Sequence, residues 1–373
     1  MVDKLNKPLA LVASDLHLQD RTWKHRNVTG DSYRSWSQIV DAAIAKEVNV
    51  VILAGDLLDR QINDSDPITQ LAAGFSKLEQ HGIKVLFIQG QHELQDKPWA
   101  CLSMNTHHLH RNGFYPLNEK FVVAGIDYQH REHLEDELSF LCETSTYEPE
   151  KTVLVMHQVW RDWMGDRALP QGRFEQVDNW FPGLGLLITG DLHEQRIESY
   201  GSIRQILSPG STCMQNITEP EDKYIYFLQE GEDGNLQIVP ERLETRAVFR
   251  YEIFTEQDRD LLPEAIQAFW DSSFSCKPLA HVKYSAEVVK PSFIEECCKD
   301  LHLFLKEVHP YSQDDSVESV SEAYKDGIVF TLKSLLAEEE NSEVKELAER
   351  LLSAGDPEKT LLDWYAERTL KCT

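Results

Sequence analysis

No stretch of this 373-residue sequence approaches the roughly 20 consecutive apolar residues that a membrane-spanning helix requires, so a helical membrane protein is not expected. Paired cysteines are missing as well. The seven cysteines, at 101, 142, 213, 276, 297, 298 and 372, include no CxxC pair and are odd in number. That argues against a thiolate zinc module or a disulfide framework and points to a reducing compartment. Positive charge is scarce: 37 Lys and Arg stand against 63 Asp and Glu, a net charge of −26. A broad basic face for nucleic acid is therefore not expected. DNA would have to be held by locally basic loops or by a partner. The opening residues, Met1 to Pro8, lack the apolar core of a secretory signal. The expected setting is the cytoplasm, or the host cytoplasm for a phage-encoded chain. There is no internal repeat and no low-complexity tract.

What the chain does have is alternation. Short β-branched runs at Leu9–Ala13, Val48–Ala54, Lys84–Ile88, Phe121–Ala124, Thr152–Met156 and Leu184–Thr189 read as buried strands. Between them, Ser35–Glu47 and Pro67–His81 show helical spacing. Residues Ile203–Leu228 read as further β-structure around the turn at Ser208–Ser211. The class is α/β, in layers. After about residue 240 the character changes. Phe249–Phe254 and His281–Val289 read as strands, Asp258–Trp270 and Ser292–Lys306 as helices, together a small α/β module. From Pro310 the chain is acidic, with helices expected near Val317–Leu336, Ser342–Ala354 and Asp356–Leu370. The expected division is 1–240, 245–308 and 310–373.

Five strands run into side chains that bind metals. They lead to Asp15 and His17, to Asp56 and Asp59, to Gln91, His92 and Glu93, to His157, and to Asp191 and His193. In an open α/β sheet, functional groups gather beyond the carboxyl ends of the strands, so these ends are expected to converge. Any one of them alone is commonplace. An Asp-x-His after a strand, or a lone histidine, is usually structural; five in series are not. The donors are oxygens and imidazoles, without thiolate, which suits Mn²⁺, Fe²⁺ or Zn²⁺ outside a structural zinc site. About seven donors exceed the needs of one ion, and a pair of ions about 3.5–4 Å apart can clamp a phosphate. Asp56 is the natural bridging carboxylate. His107, His108, His110, His130 and His133 have no strand-end placement and read as surface or loop residues.

The order Asp15-x-His17, Gly55-Asp56-x-x-Asp59-Arg60, Gly90-Gln91-His92-Glu93, His157 and Gly190-Asp191-x-His193 resembles the calcineurin-like metallophosphoesterase family. The resemblance covers roughly residues 9–230. It implies a layered β-sandwich flanked by helices and two divalent ions, Mn²⁺ ahead of Mg²⁺. It also implies Asp15, His17, Asp56 and His193 around one ion and Asp56, Gln91, His157 and Asp191 around the other. His92 is then the catalytic group that, without ligating, protonates the leaving oxygen or steadies the transition state. Two positions depart from the family pattern: Gln91 stands where Asn is usual and Asp191 where His is usual. Both keep a donor, but they alter the second site.

A narrower resemblance rests on Ser208–Ser211 followed by Glu219 and Lys223, on the small α/β module and on the acidic tail. In that order they look like the SbcD-type nuclease subunits. This implies a DNA nuclease with a capping module, a homodimer, and a tail that docks on an SbcC-like coiled-coil ATPase. Arg21, Lys24 and Arg26, with His25 and Arg34, form a basic loop beside the first motif that reads equally as a phosphate contact or a solvated loop. Trp23 and Trp36 nearby suit packing better than base stacking. Two other classes remain open: a phosphatase or phosphodiesterase on a non-DNA substrate, which suits the acidic charge, and a non-catalytic scaffold of the same fold.

Overall fold

The computed structural model describes residues 7–19, 28–61, 65–164, 172–270 and 276–308. The expected helices beyond Pro310 and the basic positions Arg21, Lys24 and Arg26 lie outside them. The described fold belongs to one compact unit, Met1–Lys306.

The apolar runs become the central strands of two six-stranded sheets. In spatial order the first holds Leu236–Leu243, Lys223–Glu230, Ala10–Ala13, Val50–Ala54, Lys84–Ile88 and Thr106–His108. The second holds Tyr115–Pro116, Val122–Ile126, Thr152–His157, Leu186–Gly190, Ile203–Ser208 and Arg196–Tyr200. Strand Ala10–Ala13 runs parallel to Val50–Ala54, which runs parallel to Lys84–Ile88. Thr152–His157 likewise runs parallel to Leu186–Gly190. The candidate metal-binding side chains of each sheet therefore leave it at the same end.

Alternation of side chains along each strand divides the core. Ala10, Val12, Val50, Ile52, Ala54, Leu86 and Ile88 pack against Val123, Val153, Val155, Leu186 and Ile188 of the other sheet. Leu11, Ala13, Val51, Leu53, Val85 and Phe87 point outward and are covered by helices Asp31–Ala45 and Ser65–Gln80. Leu154, Met156 and Leu187 point outward from the second sheet under helices Arg131–Thr144 and Phe174–Trp180. The result is a helix–sheet–sheet–helix sandwich, the α/β class expected. Each fully buried Leu, Ile, Val or Phe adds about 1.5–3 kcal/mol. Trp36 belongs to this core: its indole N–H donates to the Gln70 carbonyl at 3.0 Å and its ring meets Phe75 edge-on.

A separate three-stranded sheet follows, with Val248–Ile253, Leu279–Tyr284 and His302–Glu307 in that order. Helices Glu256–Trp270 and Pro291–Cys297 cover it. This corrects one expectation. The run Ser292–Lys306 is not a single helix; it stops at Cys298, and His302–Glu307 is a strand. The cluster Leu301–Leu305 is apolar enough for either period, and pairing along the sheet edge decides it. None of the described helices is long and apolar enough to cross a membrane.

Candidate metal centre

The strand ends meet where the two sheets approach, and the backbone is bent to achieve it. Asp15, His17, Asp56 and Asp191 have φ of 51°, 42°, 51° and 83°. Glu47, at a helix end, is the one other non-glycine with positive φ among the described residues. Such conformations cost on the order of 1–3 kcal/mol each and persist only where surroundings enforce them. Here cross-strand bonds do so: Asp15 N–H donates to Gly55 O at 3.1 Å and His17 N–H to Asp56 O at 2.9 Å. Two glycines leave room. A Cβ on Gly55 would lie 2.3 Å from His157 Nδ1, and one on Gly90 would lie 2.0 Å from Asp56 Oδ1.

Asp56 occupies the middle. Its Oδ2 lies 3.3 Å from His157 Nε2, 3.6 Å from His17 Nε2 and 3.9 Å from His92 Nε2. Asp15 Oδ1 lies 3.9 Å from His157 Nε2 and 4.0 Å from His17 Nε2. His17 Nε2 and His193 Nε2 face each other at 3.2 Å. Three overlapping groups result: Asp15 with His17 and His193, His17 with Asp56 and His92, and Asp15 with Asp56 and His157. The donor atoms of each group lie within 4.8 Å of one another.

The residues present fit divalent ions. The imidazoles are turned with Nδ1 outward and Nε2 inward. His157 Nδ1–H donates to Ala54 O at 2.8 Å, and His92 Nδ1–H to Asp59 O at 3.0 Å. His193 Nδ1 is 2.8 Å from Glu219 Oε1. Outer partners of this kind fix the tautomer of a ligating histidine. His157 Nε2 is left buried without a hydrogen bond, as is Gln91 Oε1. A cation would satisfy both, and a mixed carboxylate and imidazole set suits a borderline or hard dication.

Electrostatics agree. Burial pushes Asp15 up to about 6, although His157 opposes it. Burial holds His17 down at about 3. Burial acts against the charged form of His157 too, yet the Asp56 carboxylate overrides it and lifts His157 to about 10. Asp56 is also buried, and His157 nonetheless holds it below the ordinary carboxylate range. The centre thus balances buried anions against whatever positive charge is at hand.

Of the residues expected to ligate, Asp15, His17, Asp56, His157 and His193 come together in these groups. Gln91 and Asp191 sit beside them and bind each other: the Gln91 amide donates to Asp191 Oδ1. The Asp191 N–H donates to the Asp15 carboxylate at 3.1 and 3.3 Å. His92 is 42% exposed, so it can reach a substrate at the rim while its Nε2 faces Asp56. Arg21, Lys24 and Arg26 lie outside the described residues.

Several supporting residues went unrecognised in the sequence. His108 is not a surface histidine. It is buried at the end of an edge strand, with Nε2 2.8 Å from Asp127 Oδ2. Asp127 also accepts the Gln89 backbone N–H at 2.8 Å and its side-chain amide at 3.1 Å. This network holds the segment leading to Gln91 and His92. Glu93, counted in the sequence among the strand-end donors, joins none of the metal-donor groups among the described residues; it is buried and accepts the Leu58 N–H at 2.9 Å. Burial, then the Asp56 charge, push its carboxyl up to about 8. Glu219, read only as part of a motif, is the partner of His193. Burial opposes its charge, but His193 and Lys223 bring it down to about 2.

The sequence profile of the calcineurin-like phosphoesterases matches residues 9–195. Among curated relatives, YhaO of Bacillus subtilis strain 168, an uncharacterized metallophosphoesterase, is 24% identical over 232 residues, 58% of this chain. The match spans 56% of that relative, little more than half its length. Among solved structures, TT1561 of Thermus thermophilus aligns with a TM-score of 0.41 and 14% identity, over 62% of this chain and 97% of its own. A dimetal phosphatase from Danio rerio aligns with a TM-score of 0.44 and 13% identity, over 63% and 96%.

Replacing His92 by Ala is expected to leave metal content at the wild-type level by elemental analysis. Phosphodiester cleavage should fall by roughly 10²–10⁴, the scale of a lost general acid. Loss of metal from that variant would make His92 a ligand. At Glu93, an exchange for Gln keeps the acceptor and, below about pH 4.5 where the carboxyl is protonated in both folded and unfolded chains, should change stability by less than about 1 kcal/mol, whereas Ala strands the Leu58 N–H and costs about 1–3 kcal/mol. The folded carboxyl keeps its proton to about pH 8 and the unfolded one releases it near 4.5. In chelator, wild-type stability in urea should therefore decline from pH 4.5 to 8 relative to the Gln variant. Parallel curves for the two proteins would show that Glu93 is already ionised in the fold.

Proposed function

The chain belongs to the calcineurin-like phosphoesterase family, and we propose that within it the protein is a DNA phosphodiesterase, the nuclease subunit of an SbcCD-type complex. The observation that carries phosphoester hydrolysis is Asp56, buried amid three imidazole Nε2 atoms at 3.3–3.9 Å. Divalent ions, when bound, supply water activation and neutralise charge growing on phosphate oxygens. The protein's own residues set the frame. Asp15, Asp56, His17, His157 and His193 provide fixed donors at the sheet ends. His92, anchored through Nδ1 to Asp59 O, presents Nε2 at the rim, where a proton can pass to a leaving oxygen.

Two features beyond the sandwich support the DNA reading. The segment from Ser208 to Lys223 brings Glu219 to His193, and the three-stranded module comes directly after the last sandwich strand. Both fit the order that the resemblance to the SbcD-type nucleases implies. The net charge of −26 requires another source of DNA affinity, and an SbcC-like ATPase bound to a homodimer of the chain would provide it. The same charge favours a second reading, a phosphatase or phosphodiesterase for a small phosphoester. Mn²⁺ is the proposed activator, because Asp191 adds an oxygen donor where the family pattern has an imidazole, and oxygen donors favour Mn²⁺ and Mg²⁺ over Zn²⁺.

Cleavage of linear and hairpin DNA, measured beside bis-nitrophenyl phosphate with Mn²⁺, Mg²⁺ or Zn²⁺, tests the reading directly. Activity on DNA should be highest with Mn²⁺ and should fall by at least roughly 10²–10³ in Asp56→Ala. Hydrolysis of the small ester with intact DNA would favour the second reading. Wild-type DNA cleavage by a folded Asp56→Ala protein would refute both. A chain truncated after Val308 should keep small-ester hydrolysis and lose association with an SbcC-like ATPase in a pull-down. Undiminished association would remove the tail from the docking role.

A further inference from the structure

His193 does not stand alone. Its Nδ1 meets Glu219 Oε1 at 2.8 Å. The other oxygen, Glu219 Oε2, accepts three donors: Ser211 Oγ–H at 3.0 Å, the Gln215 N–H at 3.1 Å and Lys223 Nζ at 2.8 Å. Lys223 is fully buried and also donates to Ser211 Oγ at 2.8 Å. The Glu219 carboxylate is therefore fixed in direction, and it fixes the His193 ring.

The segment carrying Glu219 is attached to the three-stranded module. Met214 packs with Val248 and Leu279 of that module, and Ile217 joins them. Arg250, on strand Val248–Ile253, donates to Ile217 O and, at 3.1 Å, to Glu219 O. Its Nε lies 3.5 Å from Glu221 Oε1, and the Val248 N–H donates to Glu221 Oε2 at 3.1 Å. Elsewhere the seam is tied by Arg246, whose buried guanidinium pairs with Asp31 at 2.7 Å and donates to Lys277 O, and by Arg34, which donates to Cys276 Sγ. Beside Arg250 it leaves a cleft of about 680 Å³, bordered by Ile217, Glu219, Arg250 and His281. Of the polar bonds that cross the seam, those of Arg250 are the ones that reach the backbone of Glu219 itself.

We propose that Glu219 and Arg250 are positioning residues that make metal binding at His193 depend on the seating of the three-stranded module. The inference rests on reading His193 as a metal ligand. Glu219 holds the tautomer and direction of the ring, and Arg250 holds the backbone of Glu219. Outer-shell partners of ligating histidines affect metal affinity by about 10–100-fold. A pair of backbone-directed hydrogen bonds is worth roughly 3–10-fold in an equilibrium constant.

The test is Mn²⁺ binding by calorimetry to the full-length metal-free chain, with apo melting temperature and near-ultraviolet circular dichroism as fold controls. Glu219→Gln should weaken binding about 10–100-fold. Arg250→Ala should weaken it roughly 3–10-fold, and Arg250→Lys should recover part of the loss. The double variant Glu219→Gln/Arg250→Ala should bind no more weakly than Glu219→Gln alone, since Arg250 acts through Glu219. Wild-type affinity in Arg250→Ala, with or without a lowered apo melting temperature, overturns the coupling. So do fully additive losses in the double variant. Arg250→Gln takes its place, with the same criteria, if Arg250→Ala does not fold. His193→Ala separates the premise from the inference: unaltered Mn²⁺ affinity in that variant would show that His193 is not a ligand.

Discussion

Burying Asp56 as an anion demands positive charge beside it, because an isolated carboxylate loses far more in leaving water than a protein interior returns. The structure is arranged around that demand. Asp56 is 1% exposed, yet His157 holds it below the usual carboxylate range. His157 in turn is fixed by a hydrogen bond to Ala54 O, on the strand that delivers Asp56. Carboxylate and imidazole thus come from different sheets, and the contact between them ties the sheets together at the site. A proton or a divalent cation placed beside Asp56 would meet that demand.

This electrostatic arrangement depends on the sandwich core. Val12, Ile52 and Ile88 of one sheet bury against Val155 and Ile188 of the other, and that packing brings the strand ends within a few ångströms. The core offsets the cost of the strained residues. Four positive-φ side chains at about 1–3 kcal/mol each would be untenable on an isolated loop. Here Asp15 and His17 donate backbone hydrogen bonds to Gly55 O and Asp56 O, and the Asp191 N–H donates to the Asp15 carboxylate. Those contacts hold the positive-φ residues Asp15, His17, Asp56 and Asp191 in place.

Much of this was legible in the sequence, for identifiable reasons. Strands such as Val50–Ala54 and Thr152–His157 are short, β-branched and buried on both faces, so their apolar runs stand out. A polar residue at the end of such a run is conspicuous, and the candidate metal ligands Asp15, Asp56 and His157 stand out that way. The strand Thr106–His108 was not legible, because it lies at a sheet edge and contains two histidines. His108 pairs with Asp127, 19 residues on, and nothing local announces a partner that follows a strand of the other sheet. His302–Glu307 was misread because its apolar residues are consecutive, which leaves period undetermined until a neighbouring strand is present. Glu219 had a motif but no visible role, since its partner His193 lies 26 residues earlier, in the loop after another strand.

The acidity of the chain looks at first like an argument against a phosphate substrate, and the structure shows why total charge is a poor guide here. Asp15 and Asp56 are withdrawn from solvent and already matched to imidazoles, so they project little field outward. Bound dications would reverse the sign of the local potential at the rim where His92 sits. What an anionic polymer meets far from the centre is still a surface dominated by carboxylates, and attraction at distances beyond a Debye length, about 8 Å at physiological salt, is weak in any case. Catalytic contact with phosphate is thus a short-range matter settled by the metal centre, whereas capture of a long polyanion is a separate task. A chain that builds the first so thoroughly while carrying so little positive charge for the second fits the proposed role of one subunit in a larger assembly, with the holding surface on another protein.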